Sequence, residues 1–577
     1  MTFKSNNFFY YNLIFITDIC YILLIIYLST NLYFNPTSKV HIFTYLLCSA
    51  YSYLLTKEFI TNIPLTRTII QISLIILGIS EAIYGCLQLY GLAIPNNSLY
   101  KITGSFLNPG PYAGFLISIL PLALGQALTF KSTNKYIQQT FVYISWLYIF
   151  LCLTLLPATM SRAAWLAASI GTGIVLISHY KIIPRTKQYL LLHRKQAIIY
   201  SVAACLVFGA IGAGIYHLKK DSADGRLLMW KVTSHIIAEH PLTGVGWGNF
   251  AGAYGQAQAE YFAEGNATSQ EEYVAGSPDY AFNEFLQITA ENGMLGLILF
   301  LLVIILAFRS AYKNKQTDII GSLAAFLTFA CFSYPFSVWQ MNILFIILIA
   351  MAGTNLRNEK SDEARAEGKS TFTMPNKRIL ENAKQTQKRK VKSKKWEIIA
   401  LGIALIILTV PIIWQGKKWI EKKEGVTQWK EEQTYYNMEI YEQTVDNYRK
   451  LYWQLRDEPK FLFELGQCLA KTEFYEESNR ILREGANQSS DPMFWNIMGK
   501  NYQAMHHYHE AEACFMHAYN MVPNRLYPLY LLANLYYASG QNEKAIDMAK
   551  RVINKEPKVM STAISEMKAE MKEKLTE

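Results

Sequence analysis

The chain contains little charge for its length. Asp, Glu, Lys and Arg make up 17% of the 577 residues, whereas a typical soluble domain carries about 25%. Apolar residues make up 51% of the chain. They form long runs before about residue 353 and alternate with charged residues after about residue 425. This composition argues against a chain that is soluble throughout, and it predicts a membrane part followed by a soluble part.

Cysteine is sparse and shows no metal-binding spacing. None of the eight cysteines belongs to a CxxC or similar set, so no thiolate metal site is predicted. Six lie in apolar stretches, where a thiol acts as a small hydrophobic group. Cys468 and Cys514 lie in the soluble part, and the sequence leaves open whether they pair. No small-residue cleavage site follows the first apolar run, 8–28, so we expect an uncleaved spanning helix.

Positive charge exceeds negative charge mainly in one segment. The net charge is +11, and thirteen Lys and Arg lie between Arg357 and Lys395. We interpret this cluster as a signal of membrane orientation, because basic loops stay in the cytoplasm, and we expect no nucleic-acid partner. Residues 356–395 are predicted to form a polar cytoplasmic linker. Binding of lipid head groups or of a partner protein is the alternative role for this segment.

Long apolar runs predict an all-α fold with about eleven membrane-spanning helices, since about 20 apolar residues cross a bilayer. Residues 1–355 would form a polytopic membrane domain, and residues 396–415 would form the last spanning helix. The predicted spans lie near 8–30, 41–59, 67–91, 112–130, 138–157, 163–183, 196–216, 285–308, 318–335, 338–355 and 396–415.

The positions of the basic loops predict which end of each helix faces the cytoplasm. The loops 181–195 and 309–317 and the linker 356–395 are rich in Lys and Arg. We therefore predict that these segments lie in the cytoplasm together with the N-terminus. The same alternation predicts an outer-face position for four segments: 97–111, 158–162, the long loop 217–284 and all residues after 415.

Internal repeats appear after about Pro459. Prolines recur at Pro459, Pro492, Pro523 and Pro557. The small and aromatic residues between them match the tetratricopeptide pattern, a helix–turn–helix unit of about 34 residues. Residues 424–577 are therefore predicted to form a tetratricopeptide-like helical-repeat domain on the outer face. Such repeats usually bind proteins, and a structural cap on the membrane domain is the alternative.

Two short outer segments carry polar motifs. The first contains Gly104-Ser105-Phe106 and Asn108 before a predicted span, which is typical of a rigid turn. The second contains Ser161-Arg162 at the start of a helix. Backbone N–H groups, a hydroxyl and a guanidinium converge there, and this arrangement is typical of an anion site. Snorkelling of the arginine to the membrane interface is the alternative.

The long outer loop carries two further motifs. Arg226 and Trp230 lie four residues apart, so they share one face of a helix. The glycine-rich run 241–250 follows no soluble strand, which excludes a dinucleotide fold. Asn283, Glu284 and Glu291 lie at helical spacing where a predicted span begins, and polar residues in such a position indicate a functional site. Ordinary interfacial polarity is the alternative.

These motifs together resemble the O-antigen ligase superfamily, which includes O-oligosaccharyltransferases and O-antigen polymerases. The resemblance covers roughly residues 65–350 and rests on the order of Gly104-Ser105-Phe106, Ser161-Arg162, Arg226 with Trp230, the run 241–250, and the segment 283–296. It implies a GT-C-type multi-pass enzyme of the bacterial inner membrane. Such enzymes move a glycan from undecaprenyl pyrophosphate to an acceptor hydroxyl at the periplasmic face, without a metal or another cofactor.

The resemblance also implies roles for individual residues. Arg162 and Arg226 would bind the pyrophosphate, and a histidine would normally act as the base just before Asn283. That position holds Phe282 here, so we expect Glu284 to act as the base. The rival candidates for the base are Glu291, Asp279 and His240. Substrate binding is expected at Asn108, Ser161, Trp230, Asn283 and Glu291.

Three functions remain open from the sequence. The enzyme could attach a finished glycan to lipid A-core or to a protein Ser/Thr, or it could polymerise lipid-linked repeat units. A non-enzymatic transporter or assembly scaffold, using its repeats to bind a protein, is the third reading. The two outer arginines favour an enzyme. A transporter would carry more ionisable residues at the membrane midplane, where Glu81 is one of few.

Overall fold

A computed structural model describes residues 18–31, 40–62, 64–186, 214, 220–354, 418 and 420–576. All regular secondary structure in these ranges is helical, and no strand occurs in them. The predicted all-α fold class is therefore confirmed for this part of the chain. The predicted linker 356–395 and the predicted span 396–415 lie outside the described residues, as does nearly all of the span 196–216.

The described residues form two compact units. The first contains residues 18–27, 44–186 and 298–354, and the second contains 28–31, 40–43, 220–297 and 416–576 where described. Nine helices of the described residues contribute wholly or mainly to the first unit: α1 (Asp18–Asn31), α2 (Val40–Asn62), α3 (Pro64–Leu89), α4 (Pro109–Thr129), α5 (Lys135–Leu155), α6 (Arg162–His179) and, after the long loop, the second part of α10 (Glu284–Lys313), α11 (Thr317–Ala330) and α12 (Trp339–Ala352).

Four helices in the described residues are long and apolar enough to cross a membrane. They are Thr66–Leu89, Pro109–Thr129, Lys135–Thr159 and Glu284–Lys313. These helices match predicted spans and confirm that the chain is a membrane protein. Helices α11 and α12 are apolar but shorter than the roughly 20 residues that a perpendicular crossing needs, and the apolar helix α1 is described only from Asp18 onward. The total of about eleven spans therefore stays a prediction.

Glycines bring α4, α6 and α11 close together. Gly114 and Gly125 of α4 pack on Phe329 and Asp318 of α11, while Gly171 of α6 packs on Gly321 of α11. Small residues allow such close packing between membrane helices. The start of α4 lies beside the end of α11, so these two helices are antiparallel.

The two ends of the first unit carry different polar groups. At one end, the Gln71 amide donates to Asp318 Oδ2 over 2.7 Å and accepts from Gln126 Nε2 over 2.7 Å. The helix starts at Asn108 and Arg162 lie at the opposite end, because α4 and α6 both run antiparallel to α11. The loops before α4 and α6 therefore lie at the same end of the first unit, which agrees with the order of loops that the basic residues predicted. The side of the membrane that each end faces stays a prediction.

The second unit combines the long loop with the C-terminal helices. Its helices are α7 (Lys220–Glu239), α8 (Phe250–Ala263), α9 (Ser269–Val274), the first part of α10 (Glu284–Lys313), α13 (420–437), α14 (Tyr441–Leu455), α15 (Pro459–Lys471), α16 (Tyr475–Ala486), α17 (Met493–Ala504), α18 (Tyr508–Met521), α19 (Tyr527–Ala538), α20 (Asn542–Asn554) and α21 (Thr562–Thr576).

Helices α15 to α20 form three consecutive hairpins that begin at equal intervals, at Pro459, Met493 and Tyr527. In the first two hairpins a glycine of the first helix packs on a large side chain of the second: Gly466 on Leu482 and Gly499 on Phe515. These hairpins are the helix pairs that the repeat pattern predicted. Their assignment to the tetratricopeptide class stays a prediction.

The two cysteines of the C-terminal part do not pair. Cys468 and Cys514 are both free and buried within the hairpins. Burial, the first cause in each case, raises the pKa of Cys468 to about 12 and that of Cys514 to about 11. Both thiols are therefore protonated at neutral pH and act as apolar packing groups.

The long loop packs directly on the hairpins. A Cβ atom at Gly252 of α8 would overlap the carbonyl oxygen of Asn487, which follows α16. The Asn524 amide donates to the Ala275 carbonyl over 2.6 Å, and Ser490 Oγ donates to the Pro278 carbonyl over 3.0 Å. The loop and the C-terminal hairpins therefore belong to one compact unit.

Candidate functional site

Helix α7 places Arg226 and Trp230 against the segment that precedes α10. Trp230 Nε1 donates to the Ala281 carbonyl over 3.1 Å. The guanidinium of Arg226 lies 5.4 Å from the centroid of the Phe282 ring, which is within the range of a cation–π interaction. The structure therefore joins the predicted Arg226–Trp230 pair to the predicted motif at the start of α10.

Phe282 adopts an unusual backbone conformation. Its φ angle is +51°, in the left-handed region that bulky side chains rarely occupy. The Gln287 side chain supports the turn by accepting a hydrogen bond from the Ala281 N–H over 3.2 Å. Residues held in such conformations cluster at functional sites. Phe282 is also the position at which the ligase resemblance implies a histidine.

Asn283 caps α10. Its Oδ1 accepts from the backbone N–H groups of Phe285 and Leu286 over 3.1 and 3.2 Å, which is the role of an N-cap side chain. Its predicted part in substrate binding stays a prediction beside this structural role. Glu284 follows at the first position of α10 and is only 3% exposed, where the helix dipole favours a carboxylate.

The charges of three acidic side chains act on Tyr280. Burial, followed by the charges of Asp279, Glu284 and Glu291, raises the pKa of Tyr280 above its ordinary value. The predicted base and two of its rivals therefore lie in one neighbourhood, whereas His240 is exposed at the end of α7. Sequence reasoning missed Tyr280. The chain has 38 tyrosines, and nothing in the pattern distinguished this one.

The glycine-rich run and the polar start of α10 form one backbone-paired structure. Val245 N donates to the Ala290 carbonyl and Gly246 N donates to the Glu291 carbonyl, both over 2.9 Å. Met294 N donates to the Pro241 carbonyl over 2.8 Å. The two motifs of the long loop, which are separated in sequence, are therefore parts of the same site.

A break at Gly293 makes this pairing possible. Gly293 has a φ of +64°, and a Cβ atom there would overlap the carbonyl group of Leu242. Only glycine fits such a position without strain. The break separates a polar segment, with Glu284 and Glu291, from the apolar remainder of α10. In the facing run, Gly244, Gly246 and Gly248 also have positive φ angles.

Asn31 joins this structure from the end of α1. Its Nδ2 donates to the Thr243 carbonyl over 2.9 Å and to Asn292 Oδ1 over 3.2 Å. Asn31 is 7% exposed. Sequence reasoning missed it, although a lone amide at the end of an apolar run was an available signal.

The first unit holds the remaining predicted site residues at the starts of α4 and α6. Gln88 Oε1 accepts from Thr103 N and Gly104 N over 2.9 and 2.8 Å, and Glu81 Oε2 accepts from Ser105 N over 3.0 Å. These bonds make the predicted turn rigid. Asn108 caps α4 by accepting from Gly110 N over 2.9 Å, so it too has a structural role.

Arg162 begins α6 and is partly exposed. Ser161 precedes it at the N-cap position, and its hydroxyl makes no capping hydrogen bond. The Trp165 indole, one turn further along α6, donates to the Leu156 carbonyl over 2.9 Å. Ser161 and Arg162 therefore stand at the start of α6 as the sequence predicted, and their role as an anion site stays a prediction.

An apolar groove of about 520 Å³ lies along α6 beside this helix start. Side chains of α4, α5 and α6 line it. Trp165 and Thr172 are on its wall, and the Thr172 hydroxyl bonds back to the Ala168 carbonyl over 2.6 Å. The groove therefore presents mainly hydrocarbon.

The fold and these sites define a multi-helix membrane protein whose loop carries arginine and buried carboxylates. Residues 147–301 match the family described as O-Antigen ligase. Residues 147–301 are therefore similar to this family, and the resemblance indicated by the motifs is confirmed for this segment. The matched segment includes Arg162, Arg226, Trp230, Glu284 and Glu291.

Two curated relatives show the same likeness over shorter stretches. The "Exopolysaccharide production protein ExoQ" of Rhizobium meliloti is 27% identical over 123 residues, covering 21% of this chain and 25% of the relative. The "Putative polysaccharide ligase" of Rickettsia conorii is 29% identical over 209 residues, covering 34% and 46%. The chain thus spans a quarter to about half of the length of these relatives.

Proposed function

We propose that the protein is a membrane glycosyltransferase that moves an oligosaccharide from undecaprenyl pyrophosphate to an acceptor hydroxyl. The observation that carries this proposal is the grouping of Arg226, Trp230 and Glu284 around the strained turn at Phe282. This grouping lies within the segment that matches the O-antigen ligase family. One relative is named for exopolysaccharide production and the other as a putative polysaccharide ligase.

Arg162 and Arg226 stabilise the departing pyrophosphate in this proposal. A guanidinium binds phosphate oxygens bidentately, and each charged hydrogen bond contributes about 1.5–3 kcal/mol. The start of α6 adds backbone N–H groups beside Arg162. The Phe282 ring contacts the Arg226 guanidinium and so fixes its position beside the start of α10.

Glu284 acts as the base. It removes the proton from the acceptor hydroxyl as that oxygen attacks the anomeric carbon of the donor sugar. The bond between this carbon and the pyrophosphate oxygen breaks, and undecaprenyl pyrophosphate leaves with the electron pair. Glu284 is only 3% exposed, and this burial separates it from bulk water. Trp230 and Glu291 bind the sugars beside it, with Asn108, Ser161 and Asn283 as further contacts.

The membrane arrangement follows from the basic loops. In this proposal the protein is in the bacterial inner membrane, with a cytoplasmic N-terminus. The long loop and a tetratricopeptide-type repeat domain lie in the periplasm. Their packing into one unit supports a shared side. The apolar groove along α6 suits the lipid chain of the donor, since it begins one turn from Arg162.

The acceptor is lipid A-core or a protein Ser/Thr in the first version of this function. Polymerisation of lipid-linked repeat units is the second version. The similarity to a protein named for exopolysaccharide production supports this version. A scaffold without transfer activity is the third.

Deletion of the gene, followed by gels of lipopolysaccharide and of glycoproteins, separates these versions. We expect one of the two glycan patterns to be lost, and the one that is lost identifies the acceptor. Accumulated single repeat units indicate a polymerase. A strain in which all glycan patterns are unchanged contradicts the proposed function.

Complementation of the same strain distinguishes an enzyme from a scaffold. The double variant Arg162→Ala, Arg226→Ala should fail to restore glycan transfer, because the pyrophosphate charge is no longer offset. Its control is Arg309→Ala with Arg551→Ala, which removes two exposed arginines outside the site. Restoration by both double variants at equal protein levels supports a scaffold.

A further inference from the structure

The repeat hairpins contain a polar pocket that the transfer reaction does not use. It lies along α16 and has a volume of about 630 Å³. Arg480, Arg483 and Asn487 line one wall, and Tyr502 and His507 line the other. The pocket is therefore large enough for a few residues of a peptide or for a small saccharide.

The pocket presents arginines that no carboxylate neutralises. Among the described residues, neither Arg480 nor Arg483 makes an ion pair, and both are exposed. Arg483 Nη2 donates to the Tyr502 hydroxyl over 3.2 Å, and Arg480 lies 5.7 Å from the centroid of the Tyr452 ring. Neutral partners thus position both guanidinium groups without offsetting their charge.

The two carboxylates that line the pocket, those of Glu476 and Glu484, form no ion pair with Arg480 or Arg483. Glu484 is engaged by Arg456 Nε over 3.3 Å and by the Tyr452 hydroxyl over 2.6 Å. Glu476 is exposed on α16, one turn before Arg480. An anionic ligand would therefore meet Arg480 and Arg483, while Glu476 would disfavour further acidic groups at that end.

The exposed groups form a stripe that leads to the long loop. Arg480, Arg483 and Asn487 lie on one face of α16 and its end, over about 10 Å at 1.5 Å per residue. The backbone carbonyl of Asn487 packs against Gly252 of α8. A ligand along this stripe would therefore end beside the loop that carries Arg226 and Glu284.

We propose that this pocket binds an acidic peptide segment. An extended peptide rises about 3.3 Å per residue, so carboxylates on alternate residues start about 6.6 Å apart. This distance is close to the separation of about 5–6 Å between side chains three residues apart on a helix. Guanidinium groups pair with carboxylates bidentately, and the exposed Asn487 carboxamide can bond the peptide backbone. This proposal does not depend on the proposed transferase function.

Binding of a defined peptide to the full-length protein in detergent tests the proposal. The probe is a fluorescein-labelled octapeptide with Glu at alternate positions and Ser between, and its matched control has Gln in place of Glu. Fluorescence anisotropy should show saturable binding of the Glu peptide and at least tenfold weaker binding of the Gln peptide. The double variant Arg480→Glu, Arg483→Glu should also bind the Glu peptide at least tenfold more weakly.

A matched variant separates the pocket from overall charge. Lys550→Glu with Lys572→Glu makes the same change in net charge at exposed positions outside the pocket and should bind within twofold of the wild type. Equal melting temperatures show that the variants are folded. Equal binding by both double variants, or no saturable binding below about 1 mM, overturns the proposal. Tighter, arginine-dependent binding of oligogalacturonate than of the Glu peptide shows that the ligand is an acidic glycan and also overturns it.

Discussion

Phe282 occupies the position at which the ligase resemblance implies a histidine, and a phenyl ring cannot accept a proton. The structure gives this ring a different contact, because it lies against the guanidinium of Arg226. A cation–π contact of this kind contributes about 0.5–2 kcal/mol. Glu284, two residues further on, carries a buried carboxylate. The proposed function therefore assigns the contact with Arg226 to Phe282 and proton transfer to Glu284.

The ion pair between Lys231 and Glu271 makes the stability of the long loop depend on pH. Lys231 Nζ lies 2.8 Å from Glu271 Oε1. Burial disfavours the Glu271 carboxylate, but hydrogen bonds from Lys231 and Thr268 outweigh this effect and lower the pKa of Glu271 to about 2. Hydrogen bonding to Glu271 in turn raises the pKa of Lys231. Both shifts mean that folding favours the charged forms.

We expect Glu271→Gln to lower stability most between about pH 5 and pH 10. The stabilisation from Glu271 is present above its unfolded pKa of about 4.3 and is lost as the pH falls towards 2. That from Lys231 is lost as the pH rises above its raised pKa. Because Lys231 is half exposed, the difference should be only about 1 kcal/mol. Melting temperatures across pH measure it, and an equal difference at pH 2.5 and pH 7 contradicts the assignment.

The sequence predicted which site residues lie together when both residues belong to the same helix. The spacing of Arg226 and Trp230 placed both on one helix face, and both reach the same turn. Asn31 was missed because its partners, Thr243 and Asn292, lie more than two hundred residues away. Local periodicity contains no information about such contacts.

At the level of elements, α10 shows both the success and the limit of sequence patterns. Its apolar run predicted a span near 285–308, and the helix covers Glu284–Lys313. The break at Gly293 was not predicted, because a single glycine inside a helix usually costs only about 1 kcal/mol. Here the backbone of Leu242 fills the space of the missing side chain, and this approach depends on the fold of the whole loop.

Gly252→Ala should loosen the packing of α8 on the hairpins. The added methyl group would overlap the carbonyl oxygen of Asn487, and a backbone atom cannot move aside as a flexible side chain can. We expect a loss of about 1–3 kcal/mol in the stability of the second unit. Hydrogen exchange should become faster in residues 250–263 and 487–491.

Gly276→Ala is the matched control in the same loop. No atom lies within 4 Å of a Cβ built at Gly276, and its φ is not in the left-handed region. Hydrogen exchange should therefore be unchanged in this variant. Equal protection of residues 250–263 in both variants would show that the close approach of α8 to Asn487 does not hold the loop in place.

At the level of the whole molecule, charge and repeat patterns predicted the parts but not how the parts combine. Basic loops predicted that the long loop and the C-terminal region share one face, and their contacts within one unit agree with this. Prolines that recur at similar intervals predicted helix pairs, which the structure contains. The packing of α8 on the hairpins could not be predicted, because it depends on matching surface shapes rather than on composition.

Transfer by the reconstituted protein tests the central claim most directly. Proteoliposomes containing the full-length protein, an undecaprenyl-pyrophosphate-linked glycan and the acceptor identified by deletion should release undecaprenyl pyrophosphate and glycosylated acceptor together. Glu284→Gln keeps the size of the side chain but removes the base, so the rate should fall by about 10²–10⁴-fold with an unchanged melting temperature. Release at the wild-type rate by the Gln variant, or no consumption of the donor by the wild-type protein, would contradict the account.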